Sequence, residues 1–292
     1  MEKNDIVLVD FSFSHYLSGI KCVQSFISPS KYKRIKRLFT HKDYLADNHR
    51  LEDMVAQADI VILFDTRRNY DVVASRIEKA CQPTAKLIFY SWNPITDSDA
   101  YTRLGNRWIK TTFSKGDAAN TGFLYVGSFY FMNNSACHVL PKQDGVFVGC
   151  DKGRKELLGN VKQLFAANGL TSKIILVDNR KALFNPHYSW RIGYDKVCRL
   201  VQESNAVIEI LQDGQEGISL RVFESLFFEK KLVTNNKCIV NYDFYDARNV
   251  FILGMDDETR FRDFILSPYV KMDEEIINQY KVDNWLRKMM QL

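Results

Sequence analysis

"QDGQEGISLRVFESLFFEKKLVTNN", residues 212–236, changes character twice. It opens polar and glycine-rich, becomes an amphipathic helical pattern, and ends in a short apolar run. The apolar stretch "AVIEIL" (206–211) precedes it, so the order reads strand, loop, helix, strand. Gly214 and Gly217 let the loop turn tightly and approach a ligand closely. Ser219 is placed to cap the helix, whose Leu220, Phe223 and Phe227 recur at the spacing of one buried face. Arg221 and Glu224 are i,i+3 neighbours on another face. A βα loop of this kind predicts a parallel sheet.

The alternation runs along the chain. Strands are expected at 6–10, 59–65, 86–92, 108–113 and 123–131, then at 145–150, 173–178, 206–211, 231–236 and 250–254. Helices fit at about 50–57, 69–82, 153–168, 194–204 and 219–229. Continuous apolar strands separated by helices imply parallel sheets covered on both faces. The series restarts after "HVLPKQDG" (138–145), where proline, charge and glycine break it. The expected architecture is α/β, two Rossmann-like doubly wound domains facing across a cleft. The first spans 1–142 and the second 143–270. A helical tail, 271–292, carries Trp285 and is able to pack back across the first domain or to cover its own sheet. Ligands of such folds sit at the carboxyl ends of the strands.

The 292 residues suit two domains of about 140 each, and an apolar fraction of 46% is enough for both cores. No apolar run of roughly 18 residues spans a membrane, and "MEKNDIVLVD" enters a strand pattern without a signal-peptide leader. Six scattered cysteines without CxxC spacing read as buried reduced thiols of a cytoplasmic protein. The histidines form no zinc-binding pair. The net charge of +5 is local: "KYKRIKR" (31–37) reads as a basic amphipathic helix, either a solvated face or a contact with an anionic membrane surface. No glycine-aromatic RNA-binding signature is present, so a nucleic-acid partner is not expected.

The helix that follows Ser219 offers unpaired amides and the positive end of its dipole to an anion such as a diphosphate, and Arg221 adds a cation. Glu224, a turn deeper, can accept two ribose hydroxyls, while Glu216 on the loop can hold a polyol beyond the phosphates. "VFVGCDKGRKELL" (146–158) is a second strand, glycine turn and helix, with Lys152 and Arg154 flanking Gly153. Two cations beside helix-start amides make a diphosphate clamp.

"EGISLRVFE" (216–224) resembles the E-x7-E signature of GT-B glycosyltransferases, the two-Rossmann enzymes that use nucleotide-activated sugars. "GQEGISLRVFESLFFEKKLVTNN" with "YDFYDARNVFIL" is similar to the small bacterial glycosyltransferases of lipopolysaccharide, capsule and exopolysaccharide synthesis. The likeness covers about 145–255; "SWNPI" and "TTFSKGDA" extend it less specifically into the first domain. Ser219 stands where the broader signature often has glycine, and Arg221 where it often has proline. The resemblance implies a nucleotide diphosphate sugar as co-substrate. It carries the diphosphate contacts onto Lys152 and Arg154, and places Gly153, Gly217, Ser219, Arg221 and Glu224 at the donor.

The first domain is then expected to hold a glycan or lipid-linked acceptor. "VDFSFSHYLSG" (9–19) leaves the first strand with Asp10, Ser14 and His15, of which His15 has the chemistry of a general base. Asp65, followed by Arg67 and Arg68, ends another strand, and the "SWNP" turn presents Trp92 and Asn93. Asp97 and Asp99 form a DxD after Asn-Pro and read as helix-capping residues rather than metal ligands. Neither a cofactor nor an essential metal is expected. The expected activity is sugar transfer to a bacterial surface glycan, with retention, in the cytoplasm or at the inner face of the plasma membrane. Glu216, His15 and Asp10 are the candidate catalytic groups. The alternatives are a nucleotide-sugar epimerase on the same architecture and a non-catalytic nucleotide-binding scaffold.

Overall fold

The computed structural model describes residues 5–27, 46–65, 70–95, 103–132, 139–212 and 217–292. The basic run 31–37, Arg67, Arg68, Asp97, Asp99, Cys137, Gly214 and Glu216 lie outside the described residues.

The chain divides into two compact units, 1–132 together with 281–292, and 133–280. The first unit holds a six-stranded parallel sheet of β1 (Ile6–Val9), β2 (Lys21–Val23), β5 (Ile60–Phe64), β6 (Lys86–Ser91), β7 (Trp108–Thr112) and β8 (Leu124–Tyr125). Its order is β2-β1-β5-β6-β7-β8. A separate, short antiparallel pair is formed by β3 (Phe26–Ile27) and β4 (Ala46–Asp47). Helices α1 (Arg50–Val55), α2 (Tyr70–Ala80) and α3 (Lys115–Thr121) connect the strands. Val61, Ile62, Leu63 and Phe64 are fully buried in sequence, as a strand covered on both faces requires. Each such side chain stabilises the fold by roughly 2 kcal/mol.

The second unit repeats the plan with β9 (Gln143–Gly149), β10 (Ser172–Val177), β11 (Tyr188–Ser189), β12 (Ser204–Glu209), β13 (Lys231–Thr234) and β14 (Val250–Ile252). The order β11-β10-β9-β12-β13-β14 is that of a dinucleotide-binding sheet, three strands wound each way from its centre. The helices are α4 (Lys155–Ala167), α5 (Tyr194–Gln202), α6 (Leu220–Phe227), α7 (Phe261–Leu266) and α8 (Glu274–Gln279). Gly145 in β9 is required by packing: a Cβ there would meet the Phe165 ring at 2.5 Å.

The strand expected over 123–131 shrinks to Leu124–Tyr125, because Gly127 turns the backbone to φ 74°. The helical tail is two helices, α8 and α9 (Val282–Gln291), separated by Lys281 in extended geometry. Extended Lys281 lies beside Tyr130 of the first unit, whose carbonyl accepts the Val282 N–H at 3.1 Å. Trp285 is therefore buried, packed 4.2 Å from Phe129 and 4.9 Å from Tyr90 between ring centres. The cysteines divide: Cys81 and Cys198 are buried and Cys22 is half-buried, but Cys150, just past the end of β9, and Cys238, in a 3-10 turn after β13, are exposed. This corrects the reading of uniformly buried thiols.

In each sheet the winding direction reverses once. The reversal lies between β1 and β5 in the first unit and between β9 and β12 in the second. At such a point adjacent loops part on opposite sides and leave a crevice at the carboxyl ends. Asp10–His15 and Asp65 leave the first reversal; Cys150–Arg154 and the described residues 210–212 and 217–219 border the second.

Candidate functional site

At the reversal of the second sheet, β9 ends at Gly149 and enters a turn with two successive left-handed residues, Lys152 (φ 46°) and Gly153 (φ 82°). Lysine in that conformation is strained by about 1 kcal/mol or more. The turn leaves Lys152 exposed and starts α4 at Lys155.

Arg154 behaves differently from the expected diphosphate clamp. It is buried, and its guanidinium donates to the carbonyls of Asp151 (3.2 Å), Ile210 (2.6 Å) and Cys150 (2.5 Å). These bonds tie the end of β9 to the end of β12, so Arg154 shapes the crevice through backbone. Burial, then the nearby Arg221 charge, lowers its pKa. Arg221 comes from α6 and lies against the same ring: the guanidinium carbons of Arg221 and Arg154 are 4.5 and 5.3 Å from the Phe147 ring centre. Arg221 Nη2 donates to the Val148 carbonyl, while its buried Nε–H has no acceptor. Gly149 makes this possible, since a Cβ there would fall 2.1 Å from Nη2.

Glu224 lies one turn inside α6 and is 4% exposed. Burial raises its pKa to about 7, opposed by Arg221 and by a hydrogen bond with Tyr194. A carboxyl titrating near neutrality both donates and accepts hydrogen bonds in its neutral form. Ser219 caps α6, its hydroxyl accepting from the Arg221 N–H at 3.2 Å. Its own hydroxyl and N–H are both directed to Glu209, at 2.5 and 3.3 Å.

Glu209 is the residue that sequence reasoning missed. It is fully buried at the end of β12 and also accepts from Thr234 Oγ1 at 2.7 Å. Burial raises its pKa; the bonds from Ser219 and Thr234 act against that. Beside it, Asn235 Oδ1 accepts from the Leu211 N–H at 2.7 Å, and Asn236 Nδ2 donates to the Gly217 carbonyl at 3.0 Å. Both described ends of the 211–219 loop are thus held from β12 and from the "TNN" that ends β13. The signal was present: a glutamate inside "AVIEIL" is a charge in an otherwise buried strand, which needs partners.

The reversal in the first unit has another character. Asp65, at the end of β5, accepts from Trp92 N (2.9 Å), Asn93 N (3.1 Å), Asn93 Nδ2 (3.1 Å) and Ser91 Oγ (3.1 Å). Burial raises its pKa, against these four bonds. Phe11, Ser12, Phe13, Trp92 and Asn93 line a cavity of about 270 Å³. Trp92 lies 5.4 Å from Phe11 and 5.0 Å from Phe129 between ring centres, so it both packs in an aromatic cluster and borders the cavity. Asp10 (φ 61°) is buried, accepting from Ser25 N at 2.8 Å and Ser25 Oγ at 2.6 Å. Its carboxylate is committed to the chain rather than presented to solvent. Ser14 and His15 form a short 3-10 turn, and His15 is exposed, 4.0 Å from the Tyr16 ring.

Among the described residues, no group of three or more His, Cys, Asp or Glu is placed to hold a metal ion. No family model matches the chain. No curated protein matches it by sequence either. Solved structures do match. AviGT4, a glycosyltransferase involved in avilamycin A biosynthesis, aligns over 98% of this chain and 83% of its own at TM-score 0.52 and 15% identity. The fold is GT-B. Both six-stranded parallel sheets alternating with helices are accounted for by that fold. The apo lipopolysaccharide outer core galactosyltransferase WaaB aligns over 93% of this chain and 83% of its own, at 15% identity and TM-score 0.44. The Glycosylation Associate Protein (Gap123) complex from Streptococcus agalactiae aligns over 91% of this chain and 58% of its own, at 12% and 0.42.

Proposed function

We propose that this chain is a glycosyltransferase that moves a sugar from a nucleotide diphosphate sugar to a bacterial surface-glycan acceptor of the lipopolysaccharide, capsule or exopolysaccharide kind. The observation that carries the reading is Arg221: a half-buried guanidinium whose buried Nε–H lacks an acceptor, at the sheet's reversal, beside a carboxyl that titrates near neutrality. Two cations against one ring favour an anion there, and a fold shared with a glycosyltransferase supplies the context. The surface-glycan acceptor rests on the sequence resemblance over 212–252.

In this reading the donor's diphosphate meets Arg221, Lys152 and the backbone N–H groups at Gly153 and Gly217. Glu224 takes the ribose hydroxyls, and Glu216 the sugar. Arg154 and Ser219, both committed to neighbouring groups, position the site. As the bond from the anomeric carbon to the phosphate oxygen breaks, charge gathers on the diphosphate and the sugar becomes oxocarbenium-like. Preorganised cations and dipoles stabilise that separation without reorganising. The acceptor occupies the aromatic cavity of the first unit, an apolar ring surface with Ser12, Asn93 and nearby Ser14 as polar groups. Retention requires no base across from the donor; inversion would place that role on exposed His15, since Asp10 is occupied by Ser25.

Calorimetric titration of UDP, GDP, dTDP and CMP tests the reading. Selective binding of one of them at roughly micromolar Kd, abolished in Glu224→Ala, is expected, followed by transfer from the corresponding sugar nucleotide. Failure of a folded sample to bind any nucleotide would move the reading to the scaffold. Conversion of the donor sugar with no acceptor present would move it to the epimerase.

A further inference from the structure

The connection between β10 and α5, "NRKALFNPHYSWRIG" (179–193), which includes the short edge strand β11, has no part in the proposed reaction, yet it is carefully built. Asp178 Oδ1 accepts from the N–H groups of Arg180 (2.9 Å) and Lys181 (3.0 Å), closing a 3-10 turn over Lys181–Leu183. Asn185 Oδ1 accepts from His187 N at 2.9 Å, and Asn179 Oδ1 from Arg191 N at 2.7 Å. Tyr188 donates to Asp151 Oδ2 at 2.6 Å and fixes the loop to the turn after β9.

This ordered frame holds apolar side chains in water. Phe184 is 85% exposed, Trp190 50% and Leu183 37%. Large apolar groups exposed on one pinned loop mark a surface made to meet something. Cations prevail along the loop itself, while the two nearby carboxylates are engaged: Asp151 lies 3.6 Å from Lys181 Nζ and accepts from Tyr188, and Asp178 accepts from the Arg180 and Lys181 N–H groups. From Arg180 to Arg191 the chain carries Arg180, Lys181 and Arg191 and no carboxylate, and all three cations are exposed. Tryptophan and phenylalanine flanked by cations form the composition that settles at the boundary between lipid headgroups and acyl chains. A protein partner of matching shape would have to be acidic and apolar at once; an anionic bilayer offers both properties over any area.

We propose that the 180–191 loop is a peripheral membrane-docking element, inserting Phe184, Trp190 and Leu183 at the interface while Arg180, Lys181 and Arg191 meet anionic headgroups. It is a different segment of the chain from the basic run 31–37, and it does not depend on the glycosyltransferase reading. Among the described residues no helix is long and apolar enough to cross a membrane, so the contact is with one face of the bilayer. Its link to Asp151 places that face next to the crevice at the end of β9.

The test is flotation of the full chain with vesicles of phosphatidylcholine alone or with about one third phosphatidylglycerol, read beside Trp190 emission. Wild-type protein is expected to float with the anionic vesicles at least ~10-fold better than with neutral ones, and to lose most of that binding at about 0.5 M salt. Trp190 emission should shift to the blue. Phe184→Ser with Trp190→Ser should reduce vesicle binding by ~10-fold or more with nucleotide titration unchanged, and Phe184→Ser alone, at a side chain 85% exposed, should weaken vesicle binding while leaving thermal unfolding unchanged. Arg191→Glu should weaken binding mainly at low salt. Wild-type protein that ignores anionic vesicles would overturn the proposal. So would a double variant that floats as well as wild type, which would move the contact elsewhere. Two further results also count against it: loss of nucleotide binding in the double variant would assign the loop to the ligand crevice, and loss of a concentration-dependent dimer would assign it to a second copy.

Discussion

The two sheets follow one plan and finish in opposite chemistry. Where the first sheet reverses, aromatic rings dominate: Phe11, Phe13 and Trp92 border the cavity, and the two acids present, Asp10 and Asp65, are used up by Ser25 and by the Ser91–Asn93 turn. Where the second sheet reverses, charge dominates: Arg154 and Arg221 lie against Phe147, with Glu209 and Glu224 buried close by. A doubly wound sheet fixes where a crevice lies but not what enters it. The acids make the point sharply. Asp65 is saturated with donors and holds a turn, whereas Glu224 beside Arg221 remains poised to change protonation.

The largest effect that sharpens this contrast is on ligand binding. Arg221→Ala should weaken binding of the preferred nucleoside diphosphate by about 100-fold, as expected for a half-buried charge-assisted contact. Asn93→Ala should leave that affinity unchanged. Equal losses in both variants, read by calorimetry, would dissolve the division of labour. Next, Asp65→Ala strands the N–H groups of Trp92 and Asn93 and the Ser91 hydroxyl, and should cost about 2 kcal/mol of stability in urea unfolding. Nucleotide affinity should survive it.

A pH experiment addresses the second sheet alone. The Glu224 carboxyl is raised from 4.5 to about 7 in the fold, so the folded chain binds this proton more tightly than the unfolded chain. Stability contributed by that proton is full at acid pH and is lost as pH rises through the window from about 4.5 to 7. Glu224→Gln should remove up to about 1.4 kcal/mol per pH unit of this downward slope. A variant with the wild-type slope would show that Glu224 does not titrate there. The smallest effect belongs to Gly149→Ala, which pushes a methyl against the pinned Arg221 guanidinium. About 1 kcal/mol of stability and roughly tenfold in nucleotide affinity are the expected losses.

Much of this architecture was legible in the chain. Apolar runs such as "DIVILFD" alternate with helical patterns because parallel strands are buried on both faces, and that signal survives without any partner information. The 212–236 stretch likewise led to the reversal of the second sheet, with Ser219 as the cap and Glu224 on α6. What escaped were relations between distant residues. Nothing local in "GCDKGRK" says that Arg154 turns inward to the carbonyl of Ile210, because that bond spans from one strand end to its neighbour. Glu209 was overlooked for a similar reason: its partners, Ser219 and Thr234, lie ten and twenty-five positions away. The tail was read as one helical segment from its apolar positions; the extended Lys281 that divides it pairs with Tyr130, far away in sequence.

Hydrogen exchange with and without the preferred nucleoside diphosphate tests the central claim most directly, because it reports on both crevices in one sample. The account predicts slowed exchange at 149–154 and 217–224 and no change at 11–13 and 91–93. Protection at 11–13 and 91–93 with none at the second sheet's reversal would contradict it.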